Sequence, residues 1–237
     1  MAPPNLSEIV ATTLQNRRGE FADNVLTQQM ESRKVEMDGA PQTAHFVKLS
    51  MVSNFTNKQA EKYRSTVNQF AERYQISPSL VFAIIRTESN FNPFAVSSAP
   101  AYGLMQLVPT SGGRDAYRKA KGQDQVPSRE YLFDPENNIE LGTAYLSVLS
   151  YNQLEDVSNP VSREYCVISA YNTGAGNVFK TFSKDQRTAL QQINSLQPAA
   201  LYERLRDGLP YQETRDYLVK VVGYRKQFVT GGETGSK

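Results

Sequence analysis

The chain is poor in the residues that most often carry metal and redox chemistry: one cysteine (Cys166), one histidine (His45) and no tryptophan in 237 residues. A lone thiol cannot close a disulfide within the chain, and one imidazole with one thiol offers no spacing that would hold zinc. No metal site and no cofactor is expected. No run approaches the roughly 20 apolar residues that cross a bilayer. The opening Met1-Ala2-Pro3-Pro4 has neither the basic nor the apolar stretch of a signal peptide. Charge of one sign is lacking too: 26 basic against 24 acidic residues leave a formal charge of +2, too weak a field to suggest a nucleic-acid surface.

What is present is enough apolar content, 39% of residues, to fill one main domain with an appended segment. Residues 1–50 differ from the rest and are expected to be the remnant of a larger N-terminal domain. Short polar helical patterns at Leu6–Leu14 and Asn24–Met30 lead into Asp38-Gly39-Ala40-Pro41, and the alternation from His45 to Leu49 predicts one strand. Residues 51–230 carry helical periodicity, beginning with Ala60, Tyr63, Val67, Phe70, Ala71 and Tyr74 on one face. Residues 231–237 are expected to be a flexible tail. Ser77-Pro78 reads as a helix start, and the helix it opens, to about Asn90, is nearly all apolar from Leu80 to Ile85. Such a helix belongs in the middle of a domain. Further helices are predicted near Leu104–Tyr117, Pro135–Leu154, Val161–Tyr171, Gly176–Phe182, Asp185–Ser195 and Glu213–Phe228. The fold class is therefore mainly α, packed helix on helix.

Three short words stand in order: Glu88-Ser89, Gly103-Leu104-Met105-Gln106 and Ala170-Tyr171-Asn172. Counting back three, four and seven residues from Glu88 reaches Ile85, Ile84 and Val81, so its carboxylate extends the stripe that faces the core. Arg86 and Ser89 are read as pointing elsewhere. Apolar surroundings and the negative end of a helix dipole both disfavour the ionised form, so Glu88 should keep its proton near neutral pH and could act as a general acid. The plain alternative is a solvated glutamate in a fraying last turn, the usual fate of glutamate at a helix end. Gly103 permits close backbone approach, Gln106 offers both a donor and acceptors, and Met105 an adaptable apolar contact; taken alone, the same word reads as a simple helix start. Tyr171 ends an apolar helix with its phenol free to bond a carboxylate or a sugar, or simply as a core aromatic. Tyr217, on the last predicted helix, carries the same ambiguity.

Taken together and in this order, with Phe133-Asp134-Pro135-Glu136-Asn137-Asn138-Ile139 and Gly142-Thr143-Ala144-Tyr145-Leu146 between the second and third, these words resemble the soluble lytic transglycosylase and goose-type lysozyme superfamily. The resemblance runs from about His45 to Phe228 and implies a lysozyme-like helical domain. It implies that Glu88 is the catalytic acid and that Ser97, Met105 and Gln106 contact the glycan. It further implies that Tyr171 supports the acid, that Asn172 goes with it, and that Tyr217 reaches the site from the C-terminal helix. Two positions depart from the family pattern, Pro100 where a small residue is common and Thr173 where glycine is common.

The activity so implied is non-hydrolytic cleavage of peptidoglycan glycan strands at the bond from N-acetylmuramic acid to N-acetylglucosamine. A hydrolytic muramidase of the same fold would need a second acid, for which Asp115, Asp124 and Asp134 are the candidates. A glycan-binding scaffold without chemistry is the other alternative. The resemblance also implies a bacterial periplasmic location with an outer-membrane anchor, although no cysteine stands near the start of this chain to bear a lipid. Residues 1–50 could dock envelope proteins.

Overall fold

The computed structural model describes the backbone of Met30–Met37 and Ala40–Val47 and the chain over residues 58–229. The chain divides into two units, Met1–Asn57 and Lys58–Lys237. In the first unit, β1 (Met30–Met37) and β2 (Ala40–Val47) pair antiparallel, from Met30 opposite Val47 to Met37 opposite Ala40. This corrects the expectation of one strand. A lone strand leaves its N–H and C=O groups without partners, and the partner here, Glu31-Ser32-Arg33-Lys34-Val35-Glu36, is too polar to announce itself by hydrophobic alternation. Met30, expected to close a helix, opens β1 instead. The pattern at Leu6–Leu14 and the tail at 231–237 lie outside the described residues.

The second unit is helical. It comprises α1 (Arg64–Tyr74), α2 (Pro78–Ser89), a π-helical turn at Pro109–Gly113, α3 (Arg114–Lys121), α4 (Arg129–Phe133) and α5 (Pro135–Val148). After a second π-helical turn at Leu149–Gln153 come α6 (Pro160–Thr173), α7 (Ala175–Lys180), α8 (Gln186–Ser195), α9 (Pro198–Gly208) and α10 (Gln212–Val229). Helix α2 is the central one, with Val81, Ala83, Ile84 and Ile85 wholly buried, and it packs against α1 and α10. Proline at its first position sets the start. Its end is abrupt: Asn90 and Phe91 both take positive φ, 48° and 65°. Asparagine tolerates that region, but phenylalanine does so at a cost. Burial of the Phe91 ring, parallel to Tyr63 and edge-on to Phe228, offsets it.

Helix α5 begins at an Asp134 cap, whose side chain accepts from Asn137 N at 2.9 Å. Midway along it Glu140 is buried, its side chain 5% exposed, and accepts from Lys121 (2.6 Å), Arg73 (3.3 Å) and Tyr74 (3.3 Å). One carboxylate thus ties α1, α3 and α5 together.

The predicted helix over Leu104–Tyr117 is corrected as well. Leu104–Val108 is a tight loop in which Tyr102 bridges both Val96 and Leu107, and regular helix begins only at Arg114. Positive φ at Gly103 (79°) and Gln106 (47°) is incompatible with a right-handed helix. Helices α4 and α9 were not predicted, although Pro198 at the first position of α9 is a start signal. Among the described residues no helix is long and apolar enough to cross a membrane.

Candidate active site

Because α2 stops immediately after Ser89, Glu88 occupies its last turn and continues the buried face while remaining half-buried itself. Tyr217, from the second turn of α10, donates its hydroxyl to Glu88 Oε1 at 2.7 Å. Burial pushes the Glu88 carboxyl up to about 7; the Tyr217 hydrogen bond pulls it down and the negative charge of Glu213 pushes it further up. The phenols of Tyr171 and Tyr217 are held well above their ordinary range, chiefly by burial and then by the Glu88 charge, so both remain donors.

The loop after α2 is folded back onto this helix end by a chain of specific bonds. Ser89 Oγ donates to Leu104 O at 2.8 Å, so Ser89 does not point away as expected but stitches the second word to the first. Ala95 O accepts from Gly103 N (3.0 Å) and from Gln106 Nε2 (2.9 Å), and the same Gln106 nitrogen donates to Gly103 O. Asn138, wholly buried in α5, accepts from Met105 N at 2.8 Å and donates to Tyr102 O and Leu132 O at 2.9 and 2.7 Å. Every polar atom of that side chain is satisfied, which makes its burial tolerable.

Tyr171 departs from the expected contact. Its hydroxyl donates to Met105 O at 2.8 Å, not to the carboxylate, and the phenol that bonds Glu88 is that of Tyr217. Met105 is corrected too: its side chain is wholly buried, with Sδ packed where a Cβ on Gly142 would stand. What Met105 offers its neighbours is its peptide. Asn172 Oδ1 accepts from the Thr214 hydroxyl at 2.6 Å. Ser97 is exposed and its hydroxyl is engaged within its own loop, donating to Ala99 O and accepting from Ala101 N.

Gln106, Leu107, Val108, Ser111, Tyr145, Tyr171, Asn172 and Thr173 line a cleft of about 320 Å³. A larger recess of about 580 Å³, lined among others by Phe182, Leu196, Glu203 and Arg204, includes none of the residues expected at the site. The rival acids each have other partners, although the Asp115 charge also acts on Tyr145 of the cleft. Asp124 is held down to about 2 by Arg114 and Arg118, Asp134 caps α5, and Asp115 stands 3.6 Å from Arg118. The carboxylate that acts on Glu88 is Glu213, four residues before Tyr217 on the same face of α10.

The model of the transglycosylase SLT domain matches residues 65–194, more than half of the chain. The chain belongs to the transglycosylase SLT family. Two curated relatives are named membrane-bound lytic murein transglycosylase C. The one from Klebsiella pneumoniae is 43% identical over 90% of this chain and 58% of its own length, and that from Sodalis glossinidius 44% identical over 88% and 57%. The chain thus spans less than two thirds of the relatives it matches. Among solved structures, the lytic transglycosylase Slt of Pseudomonas aeruginosa superposes with a TM-score of 0.55 at 28% identity, over 71% of this chain and 24% of its own. The mainly helical, lysozyme-like SLT fold expected from the sequence is therefore present.

Four residues of this candidate site have roles that the sequence does not announce: Ser89, read as pointing elsewhere, and Asn138, which position the loop, and Thr214 and Glu213, which act on Asn172 and Glu88. Thr214 and Glu213 left no signal, because their partners lie on distant elements.

Proposed function

We propose that this chain cleaves the β-1,4 bond from N-acetylmuramic acid to N-acetylglucosamine in peptidoglycan without consuming water, with Glu88 as acid and then base. The observation that carries the proposal is one carboxyl pushed up to about 7 by burial and bonded on one oxygen by Tyr217. The names of the SLT relatives support the substrate class.

With Oε1 accepting from Tyr217, the acidic proton resides on Oε2. Glu88 gives it to the bridging oxygen as the bond from that oxygen to C1 of the muramoyl unit breaks, which releases the glucosamine hydroxyl. The ionised carboxylate then takes the proton of the muramoyl C6 hydroxyl while that oxygen closes on C1. The product is a 1,6-anhydro sugar and Glu88 is protonated again, so no atom of water enters. Positioned proton transfer of this kind contributes about 10²–10⁴ in rate. An internal nucleophile brings an effective concentration on the order of 10⁵ M or more, which removes the need for the second carboxylate of a water-using glycosidase.

Ser97, Gln106 and Asn172 are assigned to the glycan, Asn172 from the cleft wall with its Oδ1 held by Thr214. Met105 and Tyr171 are assigned to holding the wall behind it. Relatives named membrane-bound support an envelope location, and we extend this to an outer-membrane-anchored periplasmic enzyme. Residues 1–50 are assigned to envelope partners; a chain starting near Phe46 with unchanged stability and partner binding would remove that assignment. The decisive experiment is mass spectrometry of digested sacculi. Anhydro-muramoyl ends are expected, absent with Glu88→Gln, and fragments carrying one added water per cut would overturn the mechanism.

A further inference from the structure

Phe94 is 70% exposed, the most open of the large apolar side chains among the described residues. A single exposed apolar residue is ordinary, but this one is held in place. Asn92 Oδ1 accepts from Phe94 N at 3.0 Å, and the next residue, Ala95, is clamped through its carbonyl by Gly103 and Gln106. The ring of Phe94 meets that of Phe133 edge-on at 5.8 Å, and Phe133 meets Tyr102 edge-on at 5.7 Å. The Arg129 guanidinium lies 5.1 Å from the Phe133 centroid and 5.6 Å from that of Tyr102. Phe94, on the loop that Gln106 holds, is therefore backed by a ring of α4, and the cation of Arg129 on the same helix lies one ring away.

An aromatic face packs against the C–H face of a pyranose ring, and a guanidinium beside it selects a carboxylate. We propose that Phe94 and Arg129 form an accessory glycan subsite away from the cut. There a muramoyl unit lays its ring on Phe94 and turns a carboxylate, from its lactyl group or its stem peptide, toward Arg129. This rests on the glycan-strand reading above. The geometry favours muramoyl over glucosaminyl units at this position because only the former carries an acid.

The test measures binding to the Glu88→Gln protein, which cannot turn over, with three probes: glycan strands stripped of peptide, the same strands with peptide, and neutral chitohexaose. Adding Phe94→Ala is expected to weaken all three by about fivefold or more, and Phe94→Tyr to restore them. Adding Arg129→Gln is expected to weaken at least one of the two acidic probes and flatten its salt dependence, while chitohexaose binds as before. If stripped strands lose this Arg129 effect and peptide-bearing strands keep it, the carboxylate is the peptide's; if stripped strands keep it and peptide-bearing strands, whose lactyl carboxyl is consumed in an amide, lose it, the carboxylate is the lactyl group's; if both keep it, Arg129 accepts either acid. Each of these results supports the subsite. Binding within twofold after Phe94→Ala, with an unchanged melting temperature, overturns it, as does equal weakening of chitohexaose by Arg129→Gln. A parent protein that releases no anhydro fragments would refute the cleavage reading instead, so the two failures are distinguishable.

Discussion

The Tyr217 hydroxyl donates to Glu88 Oε1 at 2.7 Å and so joins the last turn of α2 to α10 across 129 residues. Burial and the Glu213 charge favour the neutral acid, whereas this phenol favours the ionised one. The position of Glu88 near neutrality is the balance of these opposed effects, and each can be removed separately.

Tyr217→Phe removes the contribution that lowers the carboxyl, so Glu88 should hold its proton to higher pH. The alkaline limb of the kcat/KM profile is expected to move upward, with turnover reduced about tenfold or more because the acid is less firmly placed. Glu213→Gln removes a contribution that raises the carboxyl and should move the limb downward. A profile unmoved by either change would show that Glu88 is not the titrating group.

The same balance makes Glu88 a stability liability at alkaline pH. Its folded value of about 7 lies above the ordinary value of 4.5, so between those limits the native state binds more protons than the unfolded one and stability falls as pH rises. The contribution is fully present below about 4.5 and lost as pH passes 7. Glu88→Gln, which mimics the neutral form, should match the parent's stability near pH 4 and exceed it above pH 7, by on the order of 1–3 kcal/mol. Chemical denaturation at both pH values reads the difference, and equal stability at pH 8 would contradict it.

Gly103 is required twice over. Its φ is +79°, and an added Cβ would stand 2.3 Å from both Asn138 Nδ2 and the Leu132 carbonyl oxygen. Gly103→Ala is therefore expected to cost about 3 kcal/mol or more. It should also reduce turnover per folded molecule, since Asn138 holds Met105 and Met105 holds Tyr171. Thermal melting with active-site titration separates the two effects.

Glu140 serves the scaffold and not the chemistry. Glu140→Ala removes the acceptor shared by Arg73, Tyr74 and Lys121. Both cations are partly exposed and can turn to water, so a loss of roughly 2–4 kcal/mol is expected, with the pH profile of cleavage unaltered. A displaced profile would place Glu140 in electrical contact with the site.

Much of the site was legible because its signals are local. Glu88 could be placed on the buried side of α2 from the spacing of Val81, Ile84 and Ile85, and the start of α2 from Ser77-Pro78. The word Gly103-Leu104-Met105-Gln106 was visible, yet its conformation was misread. Its apolar pair looks helical, but bonds from Asn138, Ser89, Tyr171 and the side chain of Gln106 hold it as a loop with two positive-φ residues. Helix α9 was missed for the opposite reason: its stripe is short and its middle polar, so Leu201 and Leu205 disclose it only when packed, both wholly buried.

The order of the residues alone determined the helical class, the central apolar helix and the placing of the Glu88 acid on that helix's buried face, since periodicity and end signals act within a few residues of chain. Which phenol bonds that acid, which side chain of the loop faces the cleft and which second carboxylate acts on Glu88 were decided by tertiary packing. A hydrogen bond or a charge interaction depends on separation in space, and residues as distant in the chain as Glu88 and Tyr217 acquire that separation only when α2 and α10 pack together.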